Sequence, residues 1–331
     1  MSTSTKQKLR ERLFNLHSQN LSIVKKFSNI NIQPDITDSF VCPLCFRIFS
    51  RAALDISQIL TLEHVPPQVF GGKDSKGILL CGECNHNSGT KLDRQIQIKL
   101  ETDDFLSAVP GAAVEGRYSI GPNPTFVATI RIPEQNIIQI DGDAKRSNPK
   151  EKDQEIEYIT SLDGSQELAG KFSFNAGNRH LADIGLLRIA YLMAFRTFGY
   201  GLIFHPNMFQ VRNQIRDPQA EILPRSWVLT SIDFHQSPLG INVIREPRDF
   251  RCFLVVFDLA SKLKTTRHVV VLPNIGQPGL FIYDWLNQQN VDGRQITFEG
   301  TNIPEHVDFL IKPNHCFVAH TFWENQSNKT T

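Results

Sequence analysis

Four cysteines form two closely spaced pairs, Cys42–Cys45 and Cys81–Cys84, with 35 residues between the pairs. Two CxxC pairs at this separation are typical of a zinc site with four thiolate ligands, in which each pair closes a tight turn. The sequence therefore predicts one structural zinc ion bound by Cys42, Cys45, Cys81 and Cys84. Cys252 and Cys316 are isolated, and we expect both to be ordinary thiols rather than part of a disulfide network.

Between the two cysteine pairs lie a carboxylate and an imidazole side by side, Glu63 and His64, and Asn85 follows the last cysteine directly. A neutral imidazole can accept a proton from water at physiological pH, so His64 is the candidate general base. Glu63 and Asn85 offer oxygen atoms, which suit Mg²⁺ or Mn²⁺ rather than a second zinc. Such a cation stabilises the negative charge that develops during phosphodiester hydrolysis.

The surrounding pattern predicts two strands and a helix that would bring these residues together. Residues 59–64 alternate apolar and polar side chains, residues 71–74 favour a turn, and residues 77–80 form a returning strand. Residues 85–100 have helical spacing, with apolar side chains on one face. The first strand would then end beside the start of the helix, where backbone amides favour phosphate. Zinc would hold this small unit together, and we expect the three candidate catalytic residues to converge.

This stretch resembles the HNH, or ββα-metal, endonucleases that carry a zinc ribbon. The resemblance covers about a sixth of the chain and is carried by the segments Leu60-Thr61-Leu62-Glu63-His64-Val65-Pro66-Pro67 and Cys81-Gly82-Glu83-Cys84-Asn85, with Gly89, Leu92 and Asp93 following. It implies a catalytic Mg²⁺ or Mn²⁺ bound by Glu63 and Asn85, with His64 as the general base. One departure is the absence of the middle asparagine that braces the histidine loop in many HNH proteins. Asp74, Ser75 or the Pro66-Pro67 pair remain alternatives for that role.

The expected function is therefore hydrolysis of DNA by an HNH endonuclease. The resemblance places it in prokaryotic antiphage defence or restriction, with recombination or a mobile element as the alternative setting. A zinc-ribbon module that binds nucleic acid without cleaving it is the alternative from another class. Such a module has no use for a base beside two metal ligands, so the Glu63-His64 pair with Asn85 favours the enzyme. Expected partners are DNA and a regulatory protein or activating ligand, and self-association stays open.

Composition is that of a folded protein, with 40% hydrophobic residues and a net charge of +1. The predicted helices and strands give the chain an α+β fold. The first 100 residues hold 13 basic against 8 acidic side chains, and the remainder holds 22 against 26. A basic nuclease end suits phosphate binding. We find no pattern of a signal peptide, and the longest apolar stretch, residues 185–204, is interrupted by two arginines. The sequence thus predicts a cytoplasmic protein without membrane association.

The chain is expected to divide into a basic helix and linker (1–35), an HNH nuclease domain (36–104) and a larger mixed α/β domain (105–331) that recognises a signal, substrate or partner. Arg188 and Arg196 lie in a strongly apolar helix and are expected either to reach solvent from the helix flanks or to contribute to a basic surface. His86, beside Asn85, is a further candidate for phosphate contact. The secondary structure expected outside the zinc stretch comprises helices over 6–27, 178–198 and 207–216, a loop over 141–157, and strands over 114–120, 126–132, 136–140, 227–234, 241–245, 251–259, 268–273 and 280–283.

Overall fold

Helices and strands both build the protein in a computed structural model, so the fold is α+β as the sequence predicted. The chain forms two compact units, one from Met1–Arg94, His180–Leu259 and Thr266–Thr331, the other from Gln95–Arg179 and Ala260–Thr265. The structure describes residues 3–28, 30, 33–35, 37–73, 76–120, 126–143, 149–161, 163, 170–224, 227–229, 237–276, 280–292 and 297–323.

The first unit contains most of the helices and three small or medium sheets. Its helices are α1 (Thr3–Phe27), α2 (Gly82–Ser88), α5 (Arg179–Phe198), α6 (Tyr200–Ile203), α7 (Pro206–Arg216), α8 (Phe281–Asp292), α9 (Asp308–Ile311) and α10 (Val318–Thr321). Its strands are β1 (Ser39–Val41), β2 (Ile48–Ser50), β3 (Leu60–His64), β4 (Gly77–Cys81), β9 (Val228–Leu229), β10 (Gly240–Glu246), β11 (Cys252–Ala260), β12 (Thr265–Pro273) and β13 (Glu299–Ile303). Two hairpins, β1–β2 and β3–β4, accompany a five-stranded sheet of order β13-β10-β11-β12-β9.

Helix α5 supplies the centre of the first unit, because fifteen consecutive or nearly consecutive residues from Ala182 to Phe198 are buried. A helix that is apolar on nearly all sides must be surrounded by other elements. Aromatic side chains pack around it: the ring of Phe195 stacks on His17 of α1 at 4.5 Å and lies 5.3 Å from Tyr200. None of the helices in the described part of the chain is long and apolar enough to span a membrane.

The β3–β4 hairpin carries two of the three candidate catalytic residues, Glu63 and His64. Its strands are antiparallel, with Glu63 opposite Ile78 and His64 opposite Gly77. All five residues of β4 are buried, and Arg10 of α1 donates hydrogen bonds to the carbonyl oxygens of Leu54 and Leu60 at 2.9 and 2.8 Å. The N-terminal helix therefore fixes the hairpin at the point where β3 begins.

The second unit is a four-stranded antiparallel sheet with two helices. The sheet has the order β7-β6-β5-β8, and its small core contains Tyr118, Phe126 and Ala128, with Tyr158 and Phe172 packed against them. Its elements are α3 (Arg94–Leu106), β5 (Ala113–Ile120), β6 (Phe126–Arg131), β7 (Gln139–Gly142), α4 (Pro149–Ser161) and β8 (Gly170–Phe174).

Two secondary-structure predictions are wrong. The polar segment 141–157, expected to be a loop, contains most of α4, because lysine, glutamate and glutamine favour helix and Tyr158 anchors the helix on the core. The segment 280–283, expected to be a strand, begins α8; a short apolar run cannot be distinguished from a buried helix by periodicity alone. Part of the strand predicted over 227–234 lies outside the described residues, which show strand only at Val228–Leu229.

Candidate metal centre and catalytic site

The first cysteine pair lies in a tight turn between β1 and β2. The Phe46 amide donates to the Cys42 carbonyl at 2.9 Å, and the Cys42 amide donates to the Arg47 carbonyl at 3.0 Å. Phe46 adopts a left-handed backbone conformation with φ 61°, which is uncommon for a residue with a side chain. This geometry turns the chain so sharply that Cys42 and Cys45 present their sulfur atoms to the same point.

The second pair spans the junction of β4 and α2. Cys81 ends the strand, Gly82 begins the helix, and Cys84 lies within its first turn. A Cβ atom on Gly82 would lie 1.9 Å from the carbonyl oxygen of Gln58, so only glycine fits this close approach. The Gly82 amide also donates to the Ile59 carbonyl at 2.9 Å, which fixes the start of the helix beside β3.

All four sulfur atoms of Cys42, Cys45, Cys81 and Cys84 lie within 4.8 Å of one another. Sulfur atoms tetrahedrally arranged at 2.3 Å from zinc are about 3.8 Å apart, and the Cys45 and Cys81 sulfur atoms are 3.6 Å apart. That separation is far longer than a disulfide bond of about 2.05 Å, and the cysteines are free thiols. The cluster is therefore compatible with the structural zinc that the sequence predicted.

Arg47 adds positive charge beside the cluster. Its guanidinium donates to the sulfur atoms of Cys45 and Cys81 at 3.4 and 3.3 Å, and it forms an ion pair with Glu83 at 2.6 Å. Hydrogen bonds to thiolate sulfur stabilise the negative charge of a four-cysteine site and orient its ligands. The donor set fits a zinc ion better than four neutral thiols.

Helices from the second half of the chain hold the first turn from outside. The Tyr191 hydroxyl donates to the Pro43 carbonyl at 3.0 Å, and the Tyr200 hydroxyl donates to the Val41 carbonyl at 2.7 Å while accepting from the Val41 amide at 2.9 Å. The Arg212 guanidinium lies 3.9 Å from the centre of the Phe46 ring, a cation–π contact. Residues 148 and 159 positions away thus support the local cysteine turn.

Glu63 forms a buried ion pair that the sequence analysis missed. Arg188 is fully buried, and its Nη2 atom donates to Glu63 Oε1 at 2.7 Å. Its Nη1 atom lies 3.5 Å from Asp93 Oδ1 without forming a hydrogen bond. Burial, opposed by Arg188 and reinforced by Glu63, raises the pKa of Asp93 to about 6. The buried Arg188 guanidinium therefore lies beside two carboxylates, both from the segment that resembles the HNH endonucleases.

The expectation that Arg188 reaches solvent or lines a basic surface is wrong, because its side chain is only 1% exposed. Its position within an apolar helix indicated burial, and a buried arginine requires a carboxylate partner. Its partner is 125 residues away, and no local pattern identifies it.

Asn85 is held in one orientation by a short chain of hydrogen bonds. The Thr61 hydroxyl donates to the Leu80 carbonyl at 3.3 Å, so it is an acceptor for the Asn85 Nδ2 group at 3.0 Å. The amide nitrogen of Asn85 therefore faces Thr61, and its Oδ1 atom accepts no hydrogen bond within the described part of the chain. Thr61 and Glu63 share one face of β3, because side chains alternate along a strand. Because Asn85 contacts Thr61, its side chain lies on the face of the hairpin that carries Glu63.

His64 ends β3, next to Glu63 in the chain. The contacts described above do not include it, so the convergence of His64 with Glu63 and Asn85 stays a prediction. His86 is exposed on α2, and its contact with phosphate also stays a prediction. Asp74 and Ser75, two of the alternatives for bracing the histidine loop, lie outside the described residues.

Comparison of the chain with protein-family models, with curated proteins and with solved structures found no match.

Proposed function

We propose that this chain is a metal-dependent endonuclease that hydrolyses DNA phosphodiester bonds. The observation that carries the proposal is the orientation of Asn85, whose amide oxygen is left available on the same face of the hairpin as the Glu63 carboxylate. Glu63 Oε1 is bound by Arg188, and its Oε2 atom accepts no hydrogen bond from the described residues. One carboxylate oxygen and one amide oxygen form the donor set that hard divalent cations prefer.

The roles of the residues follow from this arrangement. Glu63 and Asn85 would hold Mg²⁺ or Mn²⁺, which supplies charge stabilisation at the phosphate and the leaving oxygen. Arg188 holds the Glu63 carboxylate in place, and Thr61 holds the Asn85 amide by its nitrogen atom, which leaves the amide oxygen available. His64 would accept a proton from the attacking water. The four-cysteine cluster, with its zinc, fixes the start of α2 relative to β3.

The second candidate function is a zinc ribbon that binds nucleic acid without cleaving it. The Glu63–Arg188 ion pair alone is consistent with that reading, because buried ion pairs also serve structure. A structural ribbon does not need an oriented amide whose oxygen accepts no hydrogen bond from the described residues, which favours the nuclease. The biological setting that we propose, antiphage defence or restriction, and its alternative, recombination or a mobile element, depend on the HNH resemblance.

The test is cleavage of supercoiled plasmid by zinc-loaded, full-length protein with Mg²⁺, with Mn²⁺ and with chelator. Cleavage should require the divalent cation, and His64→Ala should lower the rate by about 10²–10⁴-fold while zinc content and thermal unfolding stay unchanged. His306→Ala, which removes an exposed histidine at another place, is the matched control. Full cleavage by His64→Ala, or no cleavage by the wild-type protein with either metal, would contradict the proposal.

A second pair of variants addresses the proposed metal site. Thr61→Val removes the hydroxyl that orients Asn85. It should raise the Mn²⁺ concentration needed for half-maximal cleavage by about 10–100-fold, as loss of a residue that supports a metal ligand does in other metal sites. Thr61→Ser keeps the hydroxyl and should need the same Mn²⁺ concentration as the wild type. If both variants need the same Mn²⁺ concentration, the orientation of the Asn85 amide does not matter for metal binding.

A further inference from the structure

A cavity of about 450 Å³ opens beside the loop that follows His64. Its walls are residues 66, 71–73 and 76 of this loop, two residues of α5, and residues 239–240, 256–258 and 302–305 in or beside β10, β11 and β13, all within the first unit. The volume lies in the range of about 300–1,000 Å³ of small-molecule sites. Nothing in the proposed hydrolysis uses this cavity.

The cavity carries more positive than negative charge. Lys76 and Arg196 share a single carboxylate, that of Glu305, at 2.9 and 2.5 Å. Lys73 is exposed and forms no ion pair with the described residues. The other lining carboxylate, Asp258, is already bound on both oxygen atoms by Arg267 at 2.9 and 3.1 Å. An anionic group entering the cavity would therefore meet ammonium and guanidinium groups that are not fully neutralised.

The remaining walls suit a less polar part of a ligand that carries hydrogen-bond donors. Met193, Val256 and Ile303 contribute apolar surface. Asn302 donates its amide nitrogen to Leu239 O at 3.3 Å and to Asn242 Oδ1 at 3.1 Å, so its own Oδ1 atom is left as an acceptor. A base with an exocyclic amino group joined to a phosphate combines the features that these walls recognise.

Arg196 connects the cavity to the candidate general base. Its Nη1 atom donates to the carbonyl oxygens of Val65 and Lys76 at 2.6 and 3.1 Å, and the Val65 amide donates to Lys76 O at 3.1 Å. The same arginine thus lines the cavity and ties together both ends of the loop, one of which directly follows His64. Glu305 holds Arg196 and Lys76 in this arrangement, and a competing anion would share or replace it.

We propose that this cavity binds a nucleotide and that its occupancy adjusts the loop after His64. The phosphate would contact Lys73 and Lys76, and the base would lie against the apolar wall with an amino group donating to Asn302 Oδ1. The nucleotide is either a free molecule or part of a DNA strand, because both present the same chemistry. Binding rests on the cavity alone, whereas the effect on cleavage rests on the proposed nuclease function.

The test of binding is calorimetric titration of the zinc-loaded, full-length chain with the four nucleoside 5′-monophosphates, the matching nucleosides, inorganic phosphate and a short 5′-phosphorylated single-stranded oligonucleotide. At least one monophosphate or the oligonucleotide should bind one site per chain, and nucleosides and inorganic phosphate should bind about tenfold more weakly or not at all. Lys73→Ala and Asn302→Leu should each weaken binding by about tenfold, whereas Lys6→Ala, a lysine on α1 outside the cavity, should not. Binding of monophosphates identifies a free ligand, and binding of the oligonucleotide alone identifies a strand.

The proposal is overturned if none of these probes binds, or if Lys73→Ala and Asn302→Leu both bind as the wild type does. The coupling is tested by plasmid cleavage with and without the probe. The probe should change the wild-type rate by about fivefold or more, and Lys73→Ala should need about tenfold more probe for the same change. Binding without any change in the rate contradicts the coupling. A protein that binds a nucleotide but never cleaves DNA refutes the proposed nuclease and supports the binding site.

Discussion

Replacing Arg188 by methionine should destabilise the zinc-loaded protein by about 3–5 kcal/mol, the cost of breaking a buried ion pair by removing one partner. Methionine keeps much of the length of the side chain but removes its charge and its donors. The Glu63 and Asp93 side chains are only 13% and 14% exposed, so solvent cannot replace the lost cation. A lost hydrogen bond to a charged group alone accounts for about 1.5–3 kcal/mol, and the second unpaired carboxylate adds to this.

The assay is urea unfolding of the zinc-loaded protein at fixed pH, for Arg188→Met, Glu63→Gln and the double variant. Because the two residues are in direct contact, the double variant should lose less stability than the sum of the single losses, by about 1–3 kcal/mol. The control is Arg179→Met at the start of the same helix, where the side chain is 64% exposed and the ion pair is long at 3.8 Å; its effect should stay within about 0.5 kcal/mol.

Additive losses in the cycle, or a loss below about 1 kcal/mol for Arg188→Met, would show that the ion pair does not hold Glu63. The nuclease assay gives a separate reading of the same variant. Since Arg188 positions a proposed metal ligand, Arg188→Met should raise the Mn²⁺ concentration needed for half-maximal cleavage more than Arg179→Met does.

Two further predictions concern the zinc site and the buried histidine. Elemental analysis should find about one zinc per chain. Cys84→Ser should lower both the zinc content and the free energy of unfolding, because metal binding contributes to folding. A folded protein that contains no zinc would contradict this. His17 is buried, and burial lowers its pKa to about 3, so between pH 6.5 and 3 the unfolded chain binds a proton that the folded protein excludes. Stability should therefore fall with decreasing pH by about 1.4 kcal/mol per unit from this group, and His17→Phe should show a shallower decline than the wild type between pH 6.5 and 5 in urea unfolding. Parallel pH profiles would refute this.

The sequence predicted those parts of the site that depend on local spacing. Two CxxC pairs define a metal cluster because each pair closes its own turn, and the four sulfur atoms meet as predicted. The strands at 60–64 and 77–81 were predicted within a residue or two, because apolar alternation and a glycine turn are signals within one short segment. The long helix α5 was predicted almost to the residue, because apolar residues at helical spacing are also a signal within one segment.

What the sequence left out depends on contacts between distant segments. Arg188 and Glu63 are 125 residues apart, and a single sequence gives the need for a partner without its identity. The orientation of Asn85 depends on Thr61, 24 residues away on a neighbouring element. The sequence alone therefore could not predict which amide atom of Asn85 is available. Polar helix α4 was mistaken for a loop because its contribution to a core comes chiefly from one residue, Tyr158.

Helix α5 contacts the candidate site at three points. Arg188 binds the Glu63 carboxylate, Tyr191 binds the carbonyl beside the first cysteine pair, and Arg196 binds the carbonyl that follows His64, at 2.7, 3.0 and 2.6 Å. At 3.6 residues per turn, these three positions fall within an arc of about 140° around the helix. A rigid helix with three such contacts cannot move along its axis without changing all of them. A shift of α5 along its axis would therefore alter the proposed metal ligand, the cysteine turn and the loop after His64 together.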